Sequence, residues 1–296
     1  MVALPGAHLT GHGRELGACS SRQLLADPEV IHILSPQLSV PAATVLAADE
    51  PPPVVVERPD GVSPFVLACE HASLALPRSL GTLGLTAGDA CSHIAWDIGA
   101  LQVALLLSAE LGAALVRQNY SRLVIDCNRP TVAADSIATL SDAVRIAGNE
   151  NLDAVSRAAR ANEIFVPYHA ALAALLDRRQ RGGRRSLLVA VHSFTPTYGG
   201  VSRPWHIGLM YRHDARLGTA LVQLLRAEAG VCVGDNEPYA IDEGIDYTLP
   251  LHGEARGIAH VGLEIRQDLI ADAEGQKAWA ARLARFLLRA AERIAT

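Results

Sequence analysis

Several apolar runs end in residues that can do chemistry. The stretch "VLACEHASLALP" (66–77) passes from the apolar or small Phe65–Cys69 straight into Glu70 and His71. "LLVAVH" ends in His192, with Ser193 after it. "RLVIDCN" ends in Asp126 and Asn128, followed by Arg129, and "VGLEIRQD" carries Glu264, Arg266 and Asp268. His93 and Asp97 stand at the entrance of a long apolar segment. Charges in such surroundings must be paired or bound to a cation, because a lone buried charge is costly.

Two histidines, several carboxylates and at least two arginines are what metal-assisted hydrolysis of an amide requires. Zinc takes imidazole and carboxylate ligands, and a catalytic site keeps one position open. The metal lowers the pKa of a water and polarises the carbonyl. A nearby carboxylate takes the proton and passes it to the leaving nitrogen. Arginines grip a substrate carboxylate and stabilise an oxyanion. Each residue also has an ordinary reading. Asp97 can cap the helix that follows it. Arg129 before Pro130 can form a surface turn. Glu264 can pair with Arg266, which shares its face of a strand. Competing signatures are missing: there is no GxxxxGK[ST], no strand followed by GxGxxG and no GxSxG around Ser193.

The elements that must carry these residues follow from hydrophobic pattern. "PFVLACE", "RLVIDCN", "SLLVAVHSF", "WHIGLMYR" and "AHVGLEIRQ" read as strands. "AWDIGALQVALLLSAELGA" reads as a helix ending near Gly112. "NLDAVSRAARANEIF" and "PYHAALAALLDRRQ" read as helices interrupted by Pro167. "DARLGTALVQLLRAEAG" is a helix capped by Asp214 and stopped by Gly230, and an amphipathic helix closes the chain. The alternation predicts an α/β fold with a mixed, mostly parallel sheet and helices on both faces. Sites in such sheets lie beyond the carboxyl ends of the strands.

Residues 1–60 read as a Pro-rich arm, extended or partly disordered, in which only "VVVE" suggests a strand; residues 61–296 read as one α/β domain. Half of the 296 residues are hydrophobic and 19% are charged, enough for a large core. A net charge of −5 and 4% aromatics argue against a nucleic-acid partner. The basic run "DRRQRGGRRS" (177–186) reads as a solvated loop. No apolar stretch approaches the roughly 20 residues of a membrane helix. Five scattered cysteines without a CxxC pair, and no visible secretory signal, fit a reduced, cytoplasmic protein. Nothing specifies an oligomeric state.

In order, "CEHASLALP", "HIAWDIGA", "NYSRLVIDCNRP", "AVHSFTP", "DNEPYAID…YTLPLHGE" and "VGLEIRQDLI" resemble the N-formylglutamate amidohydrolase family. The resemblance spans roughly 62–273. It implies a fold like that of zinc carboxypeptidases and the aspartoacylase group, with an eight-stranded type of mixed sheet. It also implies hydrolysis of N-formyl-L-glutamate to formate and L-glutamate, the last step of one histidine-degradation route, with one zinc per chain and a small anionic N-acyl amino acid as partner. By that resemblance His71 and His192 are metal ligands and Glu264 is the general base. Arg122 stands near the scissile carbonyl, and Asn128 with Arg129 grips the substrate carboxylate. The carboxypeptidase pattern has a ligand glutamate three residues after the first histidine, and Leu74 occupies that place here. Asp97 is the first choice for the carboxylate ligand and Glu70 the second. Arg266 adds positive charge that suits a dicarboxylate. Tyr239, Tyr247 and His252 lie in a loop-like segment where they close over substrate or serve only as loop residues. A zinc peptidase or deacylase with another substrate, and an inactive ligand-binding relative, are the competing readings.

Overall fold

In a strand buried on both sides, alternate side chains must serve two different cores. Phe65–Cys69 (β2) does this: Phe65, Leu67 and Cys69 enter one hydrophobic layer, and Val66 and Ala68 the other. The computed structural model describes residues 44–242 and 244–295, all within one compact unit. Their main sheet has seven strands, one fewer than the resemblance implied. They are Val54–Glu57 (β1), β2, Ala114–Gln118 (β3), Leu187–Phe194 (β4), Ile207–Met210 (β5), Val233–Asp235 (β6) and His260–Arg266 (β7). The order is β1-β3-β2-β4-β7-β5-β6. The central four, β3, β2, β4 and β7, run parallel. β1 is antiparallel to β3, and β5 is antiparallel to β7 and parallel to β6.

One face is covered by helices Ala100–Leu111 (α1), Arg216–Arg226 (α4) and Ala273–Arg293 (α5). The other is covered by Ala154–Arg160 (α2) and Val166–Arg181 (α3), whose Tyr168, Leu172, Leu175 and Leu176 pack on Val66, Val116 and Leu188. Truncating one such fully buried leucine to alanine costs roughly 2–5 kcal/mol.

Four readings of the sequence change. "RLVIDCN" is not a strand. The strand is the preceding "ALVRQ", and Leu123–Cys127 is a buried loop crossing the sheet's carboxyl edge, its Asp126 N–H bonded to the Ser136 carbonyl at 2.7 Å. Gly112, with φ of 60°, ends α1 and lets the chain turn into β3. Pro167 does not interrupt its helix, because a π-helical turn at Ala161–Phe165 joins α2 to α3; a widened turn tolerates the donor that proline lacks. The basic run is not wholly solvated: Arg179 is buried and donates to the carbonyls of Gly61, Ser63 and Arg185. α4 is capped at Ala215, and Asp214 instead accepts the Arg216 N–H.

The arm proposed for residues 1–60 lies outside the described residues up to position 43. From 44 onward it packs on the domain. "VVVE" is β1, paired with β3, and Val45 is buried with its N–H on the Glu163 carboxylate at 3.0 Å.

Gly99, just before α1, has φ of +80°, and a Cβ there would stand 2.2 Å from the Ile270 carbonyl oxygen. Gly183 has φ of +66° with open space around it. Gly183→Ala is therefore expected to cost roughly 1–2 kcal/mol for the left-handed backbone alone. Gly99→Ala should cost more and disturb Asp97 two residues away. Urea denaturation of both variants measures this, and equal losses would remove the clash as the cause.

Candidate active site

Three segments, two of them loops, meet at the carboxyl edge of β2 and β4. β2 runs on into Glu70 and His71, the loop before α1 brings Asp97, and β4 brings His192. The Asp97 N–H donates to the His71 carbonyl at 3.0 Å, which locks the first two loops together. One oxygen, Asp97 Oδ2, faces both imidazoles. It lies 3.2 Å from His71 Nδ1 and 2.8 Å from His192 Nδ1. All three side chains are buried, and their donor atoms lie within 4.8 Å of one another.

The far nitrogen of each ring is also held. His71 Nε2 is 2.7 Å from Asp126 Oδ1, and His192 Nε2 is 3.3 Å from Glu70 Oε2. Arg122 braces the group, with Nη2 2.6 Å from Asp126 and Nη1 3.6 Å from Asp97. Carboxylates behind metal-binding imidazoles fix the tautomer and make the exposed nitrogen a better ligand. Glu70 thus faces the far nitrogen of His192, and Asp97 faces the near nitrogens of both rings.

The electrostatics favour a cation between these groups. Burial opposes protonation of His192, yet Asp97 and Glu70 hold its pKa well above the ordinary value. Burial and Arg122 oppose protonation of His71, and Asp126 and Asp97 still raise it. Burial would push Glu70 up, but His192, whose Nε2 lies 3.3 Å away, brings it to about 2. A divalent ion satisfies the same demand and displaces the ring protons. His71, Asp97 and His192 therefore fit a metal.

Glu264 sits on β7 directly beside His192, its register partner on β4. Burial pushes its carboxyl up to about 7, against the pull of His192. Its Oε2 has no hydrogen-bond partner among the described residues. A buried carboxylate with a free oxygen and a pKa near neutrality is suited to general-base work.

The expected substrate-binding residues fare differently. Asn128 is engaged with the chain at both ends of its amide: Nδ2 donates to Asp246 at 3.1 Å, and Oδ1 accepts the N–H groups of Tyr247 and Thr248. Arg129 holds Asp135 at 3.1 Å and approaches Asp246 at 3.6 Å. This pair anchors the 245–248 loop. Arg266 is paired with Asp268. His252 is not a surface loop residue; it is buried in a π-helical turn, 3.1 Å from His169. Burial drives His252 to about 3 and His169 to about 4, so both rings stay neutral. Tyr239 stays at the rim, and Tyr247 packs on Phe165 and His169. His93 pairs with Asp142, away from Asp97. Asp126, seen only as a strand-end carboxylate in the sequence, is the partner of both His71 and Arg122. Its position two residues before the Asn-Arg pair was the available signal.

The family model for N-formylglutamate amidohydrolase matches residues 63–271. Among solved structures, a gene product of Agrobacterium tumefaciens is similar over 85% of this chain and 100% of its own, with 39% identity and a TM-score of 0.83. N-formylglutamate amidohydrolase from Ralstonia eutropha JMP134 is similar over 81% of this chain and 97% of its own, with 20% identity and a TM-score of 0.64, a likeness of fold. None of the curated proteins compared with the chain matches it.

The donor set is expected to bind a divalent cation. In titrations of metal-stripped protein with cobalt(II), His192→Ala should abolish binding. Asp126→Asn should weaken it roughly 10- to 100-fold by loosening His71. Undiminished affinity in His192→Ala would remove the site.

Proposed function

The chain belongs to the N-formylglutamate amidohydrolase family, and from that premise we propose that it hydrolyses N-formyl-L-glutamate or a related N-acyl amino acid, with one zinc held by His71, Asp97 and His192. The observation that carries this reading is the buried His71–Asp97–His192 cluster with Glu264 beside it. A bound zinc supplies a Lewis acid and lowers the pKa of a water.

The protein's own groups do the rest. Glu264, as a carboxylate, accepts a proton from the attacking water and returns it to the amide nitrogen. Water oxygen bonds to the acyl carbon, the C–N bond breaks, and formate and the free amino acid leave. Arg122, anchored on Asp126, keeps positive charge beside the forming oxyanion. Asp126 and Glu70 hold the two imidazoles in orientation. Asn128 and Arg129, by fixing Asp246 to Thr248, shape the wall of the site next to His192.

In this reading the reaction is the last step of one histidine-degradation route. Free thiols at Cys69, Cys91, Cys127 and Cys232 accord with a cytoplasmic setting. No helix among the described residues is long and apolar enough to cross a membrane.

Glu264→Gln is expected to keep its zinc and lose roughly 10²- to 10⁴-fold in kcat. The base works only when deprotonated, so kcat/KM should rise with pH through a limb set by Glu264. That limb lies below its value of about 7 once a cation lowers it. Full activity in Glu264→Gln would remove the base assignment. A zinc-loaded wild type that cleaves no formyl- or acetyl-amino acid would remove the function.

A further inference from the structure

A dianionic substrate needs a cation for its second carboxylate, and the three arginines that seemed to offer a surplus are already committed. Arg122 holds Asp126 and Asp97. Arg129 holds Asp135 and faces Asp246. Arg266 holds Asp268 with two hydrogen bonds, at 2.8 and 3.2 Å. Asp246 also sets a negative charge on the Asn128–Arg129 pair, so a second substrate carboxylate is repelled there.

Arg203 is different. Among the described residues it has no carboxylate partner. Its guanidinium carbon lies 4.7 Å from the Tyr198 ring centre, 5.0 Å from that of Tyr239 and 5.8 Å from that of Phe194. Nη1 lies 2.9 Å from the Tyr239 hydroxyl, and the Arg203 N–H is tied to the Pro196 carbonyl at 2.8 Å. Rings that cover the faces of a guanidinium hold it rigidly and leave its edge of donors for a planar anion.

Two connections tie the segment of Arg203 to the strands that carry the reacting centre. Its segment follows β4, the strand that carries His192, through a short hairpin of Thr197–Tyr198 with Val201–Ser202. Arg266, two residues beyond Glu264 on the same face of β7, donates to the carbonyl of Pro204. The Tyr239 phenol is raised first by burial and then by the charge of Glu264, with Asp97 also contributing, so its hydroxyl lies in the field of the catalytic carboxylates.

We infer that Arg203, held by Tyr198 and Tyr239, is the residue that receives the distal carboxylate of an acidic N-acyl amino acid and so sets the preference for a dicarboxylate. This rests on the amidohydrolase reading above. An aromatic-clamped arginine at the rim reads a side-chain carboxylate without altering the metal ligands. It rewards a glutamate-like reach and gives a neutral side chain nothing.

The test compares zinc-loaded wild type, Arg203→Ala and Arg203→Lys. The ratio of kcat/KM for N-formylglutamate to that for N-formylleucine should fall roughly 10- to 100-fold in Arg203→Ala, the worth of a charge-assisted hydrogen-bonded pair. Arg203→Lys should keep part of the ratio as a point charge without the fork. A folding defect would lower both substrates together, and a ratio unchanged in both variants overturns the assignment. Calorimetric binding of glutarate supplies a readout without turnover: weaker binding in Arg203→Ala supports the inference, and equal binding overturns it. If wild type cleaves no N-acyl amino acid, the function falls while the glutarate measurement still decides Arg203.

Discussion

One carboxylate oxygen holds the centre together. Asp97 Oδ2 is shared between the near nitrogens of His71 and His192, in a pocket where none of the three is more than 5% exposed. Burying that charge is tolerable only because every participant is paired behind as well as in front. Asp126 stands behind His71, Glu70 behind His192, and Arg122 behind Asp97 and Asp126. Removing one member of such a network strands the charge of another, at roughly 3–5 kcal/mol. The sheet is the device that makes the pairing possible: parallel β2, β4 and β7 end at one edge, and the backbone of Asp97 is hydrogen-bonded to His71 there.

The same economy of charge explains the role of Glu264. Among the described residues its Oε2 has no hydrogen-bond partner, and burial lifts its carboxyl to about 7. Every other carboxylate at the centre is held down. Two kinds of carboxyl environment, pulled in opposite directions, thus lie within one pocket, and that contrast is what the proposed division between proton acceptor and metal ligand rests on.

Much of this was legible before the fold was known. His71, His192 and Glu264 announce themselves because a polar group at the end of an apolar run has few other reasons to be there. Asp97 was legible as a charge at the mouth of an apolar helix, with its role open. The pairing of the arginines was not legible, because a sequence displays cations without displaying their counterions. Arg129 meets Asp135 nearby, but Asn128 meets Asp246 118 residues away. "RLVIDCN" misled for a related reason: apolarity reports burial, and this segment is buried without being a strand. "ALVRQ" was hidden because it continues the apolar run of α1, and only Gly112 marks the break. Arg203 carries no local pattern at all; its cage is assembled from three segments.

The hairpin that leads to Arg203 turns on Gly199 and Gly200, both with positive φ and with nothing within 4 Å of where a side chain would begin. A side chain added there would meet the cost of the left-handed backbone but no clash, so the tip can lengthen or shorten without pressing on the sheet. Drift at this tip leaves the hydrolytic apparatus intact while altering which side chain is welcomed. Diversification of substrate range in this architecture therefore has an inexpensive route, through a loop that selection can rewrite independently of the chemistry.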